Sequence, residues 1–261
     1  MSYVENVTEY DKNFRYRAAY RKWGDLRSLT HLDLTRMLRR AFLQAGIAVT
    51  VSGKNPQPQI SFGPALPANV ESKGEFVDFF THRYSSPVEI LKRINSVLPS
   101  DLYFLDVLPV SKLAPSLSAQ INGADYSIDL SLPENSAALR SYTANHGIEV
   151  ENAQDNAIRN FLAKKEILFT KYKTRKIINM KDFVRSVTHD PSHSVVTIEM
   201  DIVEGITVGI HQVVSALYET SAELRVCRER LYIWDGVRKK SPLTFEWEQI
   251  QEQRHIMDLA Q

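Results

Sequence analysis

Phe14-Arg15-Tyr16-Arg17-Ala18-Ala19-Tyr20-Arg21-Lys22 is the stretch on which the reading of the first half turns. Phe14, Tyr16, Ala18 and Tyr20 face one way and Arg15, Arg17, Ala19 and Arg21 the other, the two-residue period of a strand with one face on a core. Trp23-Gly24-Asp25 turns the chain. Thr30 then N-caps a helix, with Asp33 in the capping-box position three residues on. Leu34, Met37, Leu38, Ala41, Phe42 and Ala45 recur at helical spacing, and Gly46 ends the run. Residues 47–51 predict a second strand. Residues 53–67 read as a Pro-rich loop, because proline lacks an amide donor and glycine frees the backbone. Residues 76–80 predict a third strand. Ser86-Pro87-Val88-Glu89 opens a second helix with an N-cap, a proline at the first position and a capping-box glutamate. Its apolar face is Ile90, Leu91, Ile94 and Val97, and residues 102–108 predict the fourth strand.

That βαββαβ order is the order of a ferredoxin-like sandwich, four antiparallel strands with two helices on one face. The second half repeats it less cleanly. Residues 126–132 read as a strand, 137–142 as a short helix, and Asn152 caps a helix bearing Ala157, Ile158, Phe161 and Leu162. Residues 167–172 and 194–202 read as strands, with an extra β or irregular segment around 177–187 between them. Ile210, Val213, Val214 and Leu217 mark a helix, and residues 224–234 the last strand. The expectation is an α+β chain of two tandem ferredoxin-like domains, residues 1–112 and 113–235, with a charged helical tail at 236–261.

The chain has 261 residues, 32 basic and 31 acidic groups and a formal net charge of +1, and 43% of its residues are hydrophobic. That is ordinary globular usage. A single cysteine, Cys227, excludes an intramolecular disulfide and any thiolate-only zinc or iron–sulfur site; on a strand it reads as a buried small hydrophobe. No apolar run approaches the roughly 18 residues of a membrane span, and the start, Met1-Ser2-Tyr3-Val4-Glu5-Asn6, lacks the pattern of a secretory signal. A soluble, cytoplasmic protein is expected. Charge is unevenly spread: residues 1–110 carry 14 basic and 11 acidic groups, whereas the 27 residues 159–185 carry 9 and 2. A near-neutral chain with one concentrated basic segment points to a local anionic contact.

That segment, Lys164, Lys165, Lys171, Lys173, Arg175, Lys176, Lys181 and Arg185, is the strongest functional signal. Along a strand Lys171, Lys173 and Arg175 share a face with Tyr172 opposite, and cations at about 6.6–7 Å can track successive phosphates. Arg15, Arg17 and Arg21 make a second such ladder. Tyr16, Tyr20 and Trp23 read either as core or as platforms on which bases stack. A solubilising, salt-bridged surface is the plain alternative for all these cations. The loop 53–67, with Lys54 and Asn55 at its head, reads as a structural cover or as a preorganised binding element, since proline reduces the ordering cost of contact. It has no Gly-Lys-Ser/Thr ending, which excludes a nucleotide P-loop. His31, Asp33 and Arg36 form the most enzyme-like group, although His31 and Asp33, two residues apart, point to different sides of a helix. Capping and packing, ligand contact, and catalysis by a neutral imidazole are the three readings. The seven histidines show no zinc-binding pair on a helix, and neither a metal nor a cofactor is expected.

At Gly24-Asp25-Leu26-Arg27, His31-Leu32-Asp33-Leu34 and Arg36, then at Asn55-Pro56-Gln57-Pro58-Gln59-Ile60-Ser61-Phe62-Gly63-Pro64-Ala65-Leu66-Pro67 and Glu71-Ser72, the chain resembles the radical-SAM-linked proteins, a bacterial family without an assigned function. These blocks span residues 14–118; Phe161-Leu162 and the basic run after it resemble the family's second half more weakly. Val51 and Lys54 stand where members usually show Ser and Phe, and Asn179 and Lys181 where many have Asp and Arg. The resemblance implies a radical-SAM partner, because members occur beside or fused behind such proteins and one cysteine cannot hold their cluster. Tandem ferredoxin-like domains are also similar to the architecture of CRISPR repeat-processing endoribonucleases, an analogy of fold only. The expected function is a non-catalytic RNA-binding or RNA-processing accessory protein that works with a radical-SAM enzyme, without a small-molecule cofactor or membrane contact. Two alternatives stand beside it: a metal-independent endoribonuclease with His31 as base and Arg36 or Lys54 holding phosphate, and a protein scaffold for the radical-SAM partner.

Overall fold

A computed structural model describes residues 14–52, 56–170, 175, 177–203 and 207–245. It is a mixed α+β structure whose chain forms two compact units. The first takes residues up to 65, 75–120 and from 241 on; the second takes 66–74 and 121–240. Among the described residues no helix is long and apolar enough to cross a membrane.

In the first unit β1 (Phe14–Lys22), β4 (Ile60–Phe62), β5 (Val70–Thr81) and β6 (Leu102–Val110) form a sheet in the order β4-β5-β1-β6. β1 pairs antiparallel with β6, and β4 with β5. The alternation of β1 does what its period requires: Tyr16, Ala18 and Tyr20 lie in the core with Val77, Phe79, Leu102, Phe104 and Val107. Two helices bury their stripes in that core, α1 (His31–Gln44) through Leu34, Leu38, Ala41 and Phe42, and α2 (Pro87–Asn95) through Ile90 and Ile94. Phe42 is the keystone, its ring centroid 4.7 Å from Phe79 and 6.1 Å from Phe104. Such a buried aromatic holds about 3–5 kcal/mol against truncation to alanine. Thr30 caps α1, its hydroxyl accepting from the Asp33 amide at 3.2 Å. Ser86 precedes Pro87 as expected, but its side chain makes no capping hydrogen bond.

The Pro-rich segment differs most from its sequence reading. Instead of a free loop, β2 (Val51–Ser52) pairs antiparallel with β3 (Gln57–Pro58), placing Val51 opposite Pro58, and β4 follows at once. Proline is compatible with so short an edge strand, which asks no ladder donor of it. The strand expected at 47–51 is reduced to an isolated bridge between Val49 and Thr81 before β2. Residues 53–55 of the expected loop, with Lys54 and Asn55, lie outside the described residues.

In the second unit β7 (Gly123–Asp129), β10 (Val184–Asp190), β11 (Val195–Asp201) and β12 (Val226–Trp234) run in the order β10-β11-β7-β12, each neighbour antiparallel. β12 also pairs parallel with residues 70–72 at the start of β5, which makes this sheet mixed. Gly123 is required here: a Cβ would stand 2.2 Å from the Tyr232 ring. Helices α4 (Pro133–His146), α5 (Val150–Ala163) and α6 (Ile210–Tyr218) supply buried Tyr142, Phe161 and Leu217. α4 is far longer than the short helix expected at 137–142, because its buried side includes Asn135 and Thr143 and so lacks an apolar stripe. Asn135 donates to the Asp129 and Arg225 carbonyls and accepts from the Arg225 amide. A short helix, α3 (Leu117–Gln120), belongs to the first unit. A small hairpin, β8 (Leu168–Thr170) with β9 (Ile177–Asn179), and β13 (Lys239–Lys240) on β12 complete the second. Of the expected helical tail, residues 246–261 lie outside the description.

Candidate nucleic-acid interface

The ladder expected on β1 is not at the surface. Arg15 is 7% exposed and Arg17 and Asp78 are 0% exposed. Asp78 of β5 accepts from both guanidiniums: Arg15 Nη2 at 2.6 Å, Arg17 Nε at 2.8 Å and Arg17 Nη2 at 3.0 Å. Other donors of the two groups meet carbonyl and amide oxygens, while the Arg15 Nε is buried without a hydrogen bond. Arg17 Nη1 donates to Pro242 O and to Gln120 Oε1, both at 2.9 Å, and Arg15 to the Ala114 and Pro115 carbonyls. A guanidinium removed from water must be paired and hydrogen-bonded, and these two share one carboxylate plus a ring of carbonyls. Arg15 and Arg17 are therefore corrected from phosphate contacts to structural ions. Arg21 does stay outside, over the Tyr103 ring at 5.4 Å. Tyr16 and Tyr20 are core residues, whereas Trp23 is exposed.

The basic segment of the second unit is divided. Lys164 is held by Glu219 at 2.9 Å, and that hydrogen bond draws the Glu219 carboxyl below its ordinary range. Lys181 turns back onto α5, donating to the Leu162 carbonyl at 2.9 Å, a C-terminal cap rather than a free cation. Arg185 pairs with Asp201 and lies 4.8 Å over the Trp234 ring. Lys165 and Arg175 are exposed, with no partner among the described residues. Lys171, Lys173 and Lys176 lie outside them. On the sheet of this unit Asp125 accepts from Arg230 at 2.6 Å and from Lys239 at 3.0 Å, and Lys239 also reaches Glu199. That cluster is internally neutralised. Cys227, whose charged neighbours are Glu229, Lys73 and Glu71, is half-buried, and burial pushes its thiol up to about 12, far from a reactive thiolate.

Free cationic groups converge instead on α1 and the segment it meets. His31 presents its ring edge-on to Phe62 at 5.0 Å. Burial lowers its pKa, partly opposed by Glu75, which keeps the imidazole neutral at pH 7. Asp33 is occupied by the Thr30 hydroxyl at 2.6 Å and by Arg36 at 3.4 Å. Arg36, Arg39 and Arg40 follow at offsets of three and four and so share a side of the helix. Arg39 and Arg40 have no partner among the described residues, and the Arg39 Nε is buried without a hydrogen bond. Beside it a cavity of about 290 Å³ is lined by Arg39, Gln57, Pro58, Gln59, Ile60, Ser61 and Phe80. Thr50 fixes two of its walls, donating its amide to Phe80 O and accepting from the Gln59 amide, both at 2.7 Å.

Of the residues singled out from sequence, the structure thus places His31, Arg36 and the described part of the Pro-rich segment in one unit. Arg39 and Arg40 were missed. Their signal is the spacing Arg36, Arg39, Arg40 within the α1 pattern, which the overall charge of residues 1–110 dilutes.

Residues 15–213 match a family described as an uncharacterized protein conserved in bacteria, DUF2344. No curated protein matches the chain. The family match covers more than half of the sequence, and the chain belongs to that family.

Proposed function

From membership in this bacterial family as premise, we propose a non-catalytic RNA-binding accessory protein, built of two tandem ferredoxin-like sandwiches and working with a radical-SAM enzyme in the cytoplasm. The two strand orders support the architecture. β4-β5-β1-β6 and β10-β11-β7-β12 are each second-third-first-fourth in chain order, as a split βαββαβ unit requires. The resemblance at His31-Leu32-Asp33-Leu34 and in residues 55–67 supports the radical-SAM partner, which would carry the cluster that one cysteine cannot hold.

The observation that carries RNA binding is the unpaired Arg39 and Arg40 beside Arg36, next to a segment offering Gln57, Gln59 and Ser61. Arginines on one helix side neutralise successive phosphates, and amide and hydroxyl groups can read the edges of unstacked bases. Lys165 and Arg175 add cations in the second unit. Among the described residues the site holds no nucleophile beside a base, and the neutral His31 ring is turned to Phe62.

The test is anisotropy of a fluorescent single-stranded RNA with the full chain between about 50 and 200 mM salt. Affinity falls steeply with salt, and joint reversal of Arg36, Arg39 and Arg40 to Glu abolishes it, while reversal of Lys165 and Arg175 weakens it less. Affinity indifferent to salt and to the triple reversal overturns the reading. Cleavage of the RNA in chelator that disappears with His31→Ala would establish the endoribonuclease in its place.

A further inference from the structure

We propose that the recess between α1 and the β3–β4 segment is a subsite for a nucleoside phosphate and, within the RNA-binding reading on which this rests, takes the terminal nucleotide of the strand. Among the described residues its lining carries one cation and no carboxylate. Arg39 lines it and has no hydrogen-bond or ion-pair partner among the described residues, so its guanidinium is uncommitted. An anionic oxygen is the acceptor that gains most from a guanidinium, through charge-assisted hydrogen bonds.

Size and chemistry extend the ligand beyond bare phosphate. The volume, about 290 Å³, lies at the lower end of small-molecule pockets, which start at about 300 Å³. A lone phosphate leaves most of that space unfilled. The other walls suit a base and sugar: Pro58 and Ile60 are apolar, and Gln57 and Gln59 each bring an amide with both donor and acceptor. A glutamine amide can pair two-fold with a base edge. The frame is fixed before the ligand comes. β4 is hydrogen-bonded to β5, Thr50 bridges Gln59 and Phe80, and Arg15 lies 5.8 Å from the Phe80 ring centroid while held by Asp78. Preorganisation of this kind lowers the ordering cost of binding.

The probes are adenosine and uridine 5′-monophosphate, adenosine, and inorganic phosphate, titrated calorimetrically into the full chain. Short RNAs of one sequence, ending in a phosphate or a hydroxyl, complete the set. The monophosphates bind, and adenosine and inorganic phosphate each bind about tenfold or more weakly. Arg39→Gln loses about tenfold or more in monophosphate affinity with an unchanged melting temperature, Gln59→Ala loses a smaller factor, and Lys92→Gln at an exposed position of α2 stays near the parent. Should Arg39→Gln melt early, Arg39→Lys, which keeps the charge without the fork, takes its place and shows a partial loss. No monophosphate binding by the parent, or binding equal in Arg39→Gln, overturns the subsite. RNA affinity that falls with salt but ignores the terminal phosphate overturns the subsite and leaves RNA binding standing. Monophosphate binding lost in Arg39→Gln, from a chain that binds no RNA, supports the subsite and identifies free nucleotide as its source.

Discussion

β1 and α1 each carry a row of arginines, and their surroundings treat the two rows in opposite ways. On β1, Arg15 and Arg17 meet an aspartate 63 and 61 residues away in sequence and are closed over by carbonyls. On α1, among the described residues, Arg36 has only the weak exposed contact to Asp33, and Arg39 and Arg40 have no acidic partner. Exposed pairs such as the first contribute about 0–1 kcal/mol. A cation's role is therefore set by what the fold brings opposite it, and the unpaired row is where an external anion has most to offer.

The strongest way to break the contrast is at Asp78. Asp78→Asn leaves two buried guanidiniums with no counter-charge and lowers unfolding free energy by about 3–5 kcal/mol in urea denaturation. Arg40→Gln, the matched change on the exposed row, shifts it by no more than about 0.5 kcal/mol. A loss at Asp78 as small as that at Arg40 would show that the buried cluster is not structural. Next in size is Thr30→Ala, which removes the α1 cap at a cost of about 1 kcal/mol. In circular dichroism with RNA anisotropy alongside, both the melting point and RNA affinity fall, because the arginine row depends on an intact first turn. The smallest effect is at His31. Its folded pKa lies below the ordinary 6.5, so the unfolded chain binds the proton more readily. His31 thus favours the folded state at neutral pH, and that contribution fades as pH falls below 6.5 and the unfolded ring becomes protonated. Urea midpoints measured across this range lose part of their pH slope in His31→Gln.

Much of this architecture is written in periodicity. β1, α1, α2, β6, α6 and β12 follow from alternation or helical spacing together with stop signals, and the Thr30 cap forms as its sequence implies. The Pro-rich segment was less legible because β2 and β3 are two residues each, too short for any period, and one residue is a proline. The start of β5 reads Val70-Glu71-Ser72-Lys73-Gly74, a polar run whose strand character comes from pairing with β12, more than 150 residues on. The same distance effect hid the fate of Arg15 and Arg17. Alternation correctly put them opposite Tyr16 and Tyr20, but nothing local tells that the second face of the sheet is covered too. Arg36 was visible within its motif, while Arg39 needed the cavity before its unpaired Nε meant anything.

The bond from Arg17 to the Pro242 carbonyl has a consequence for synthesis. Its two ends are 225 residues apart, yet both belong to the first unit. Domains generally fold in order as they leave the ribosome. Here the amino-terminal unit emerges early with one guanidinium donor still lacking its final acceptor, and completes itself only after the whole intervening unit has been translated. A nascent chain stalled before residue 242 thus holds an unfinished first unit, whose maturation waits on residues that follow the whole second unit.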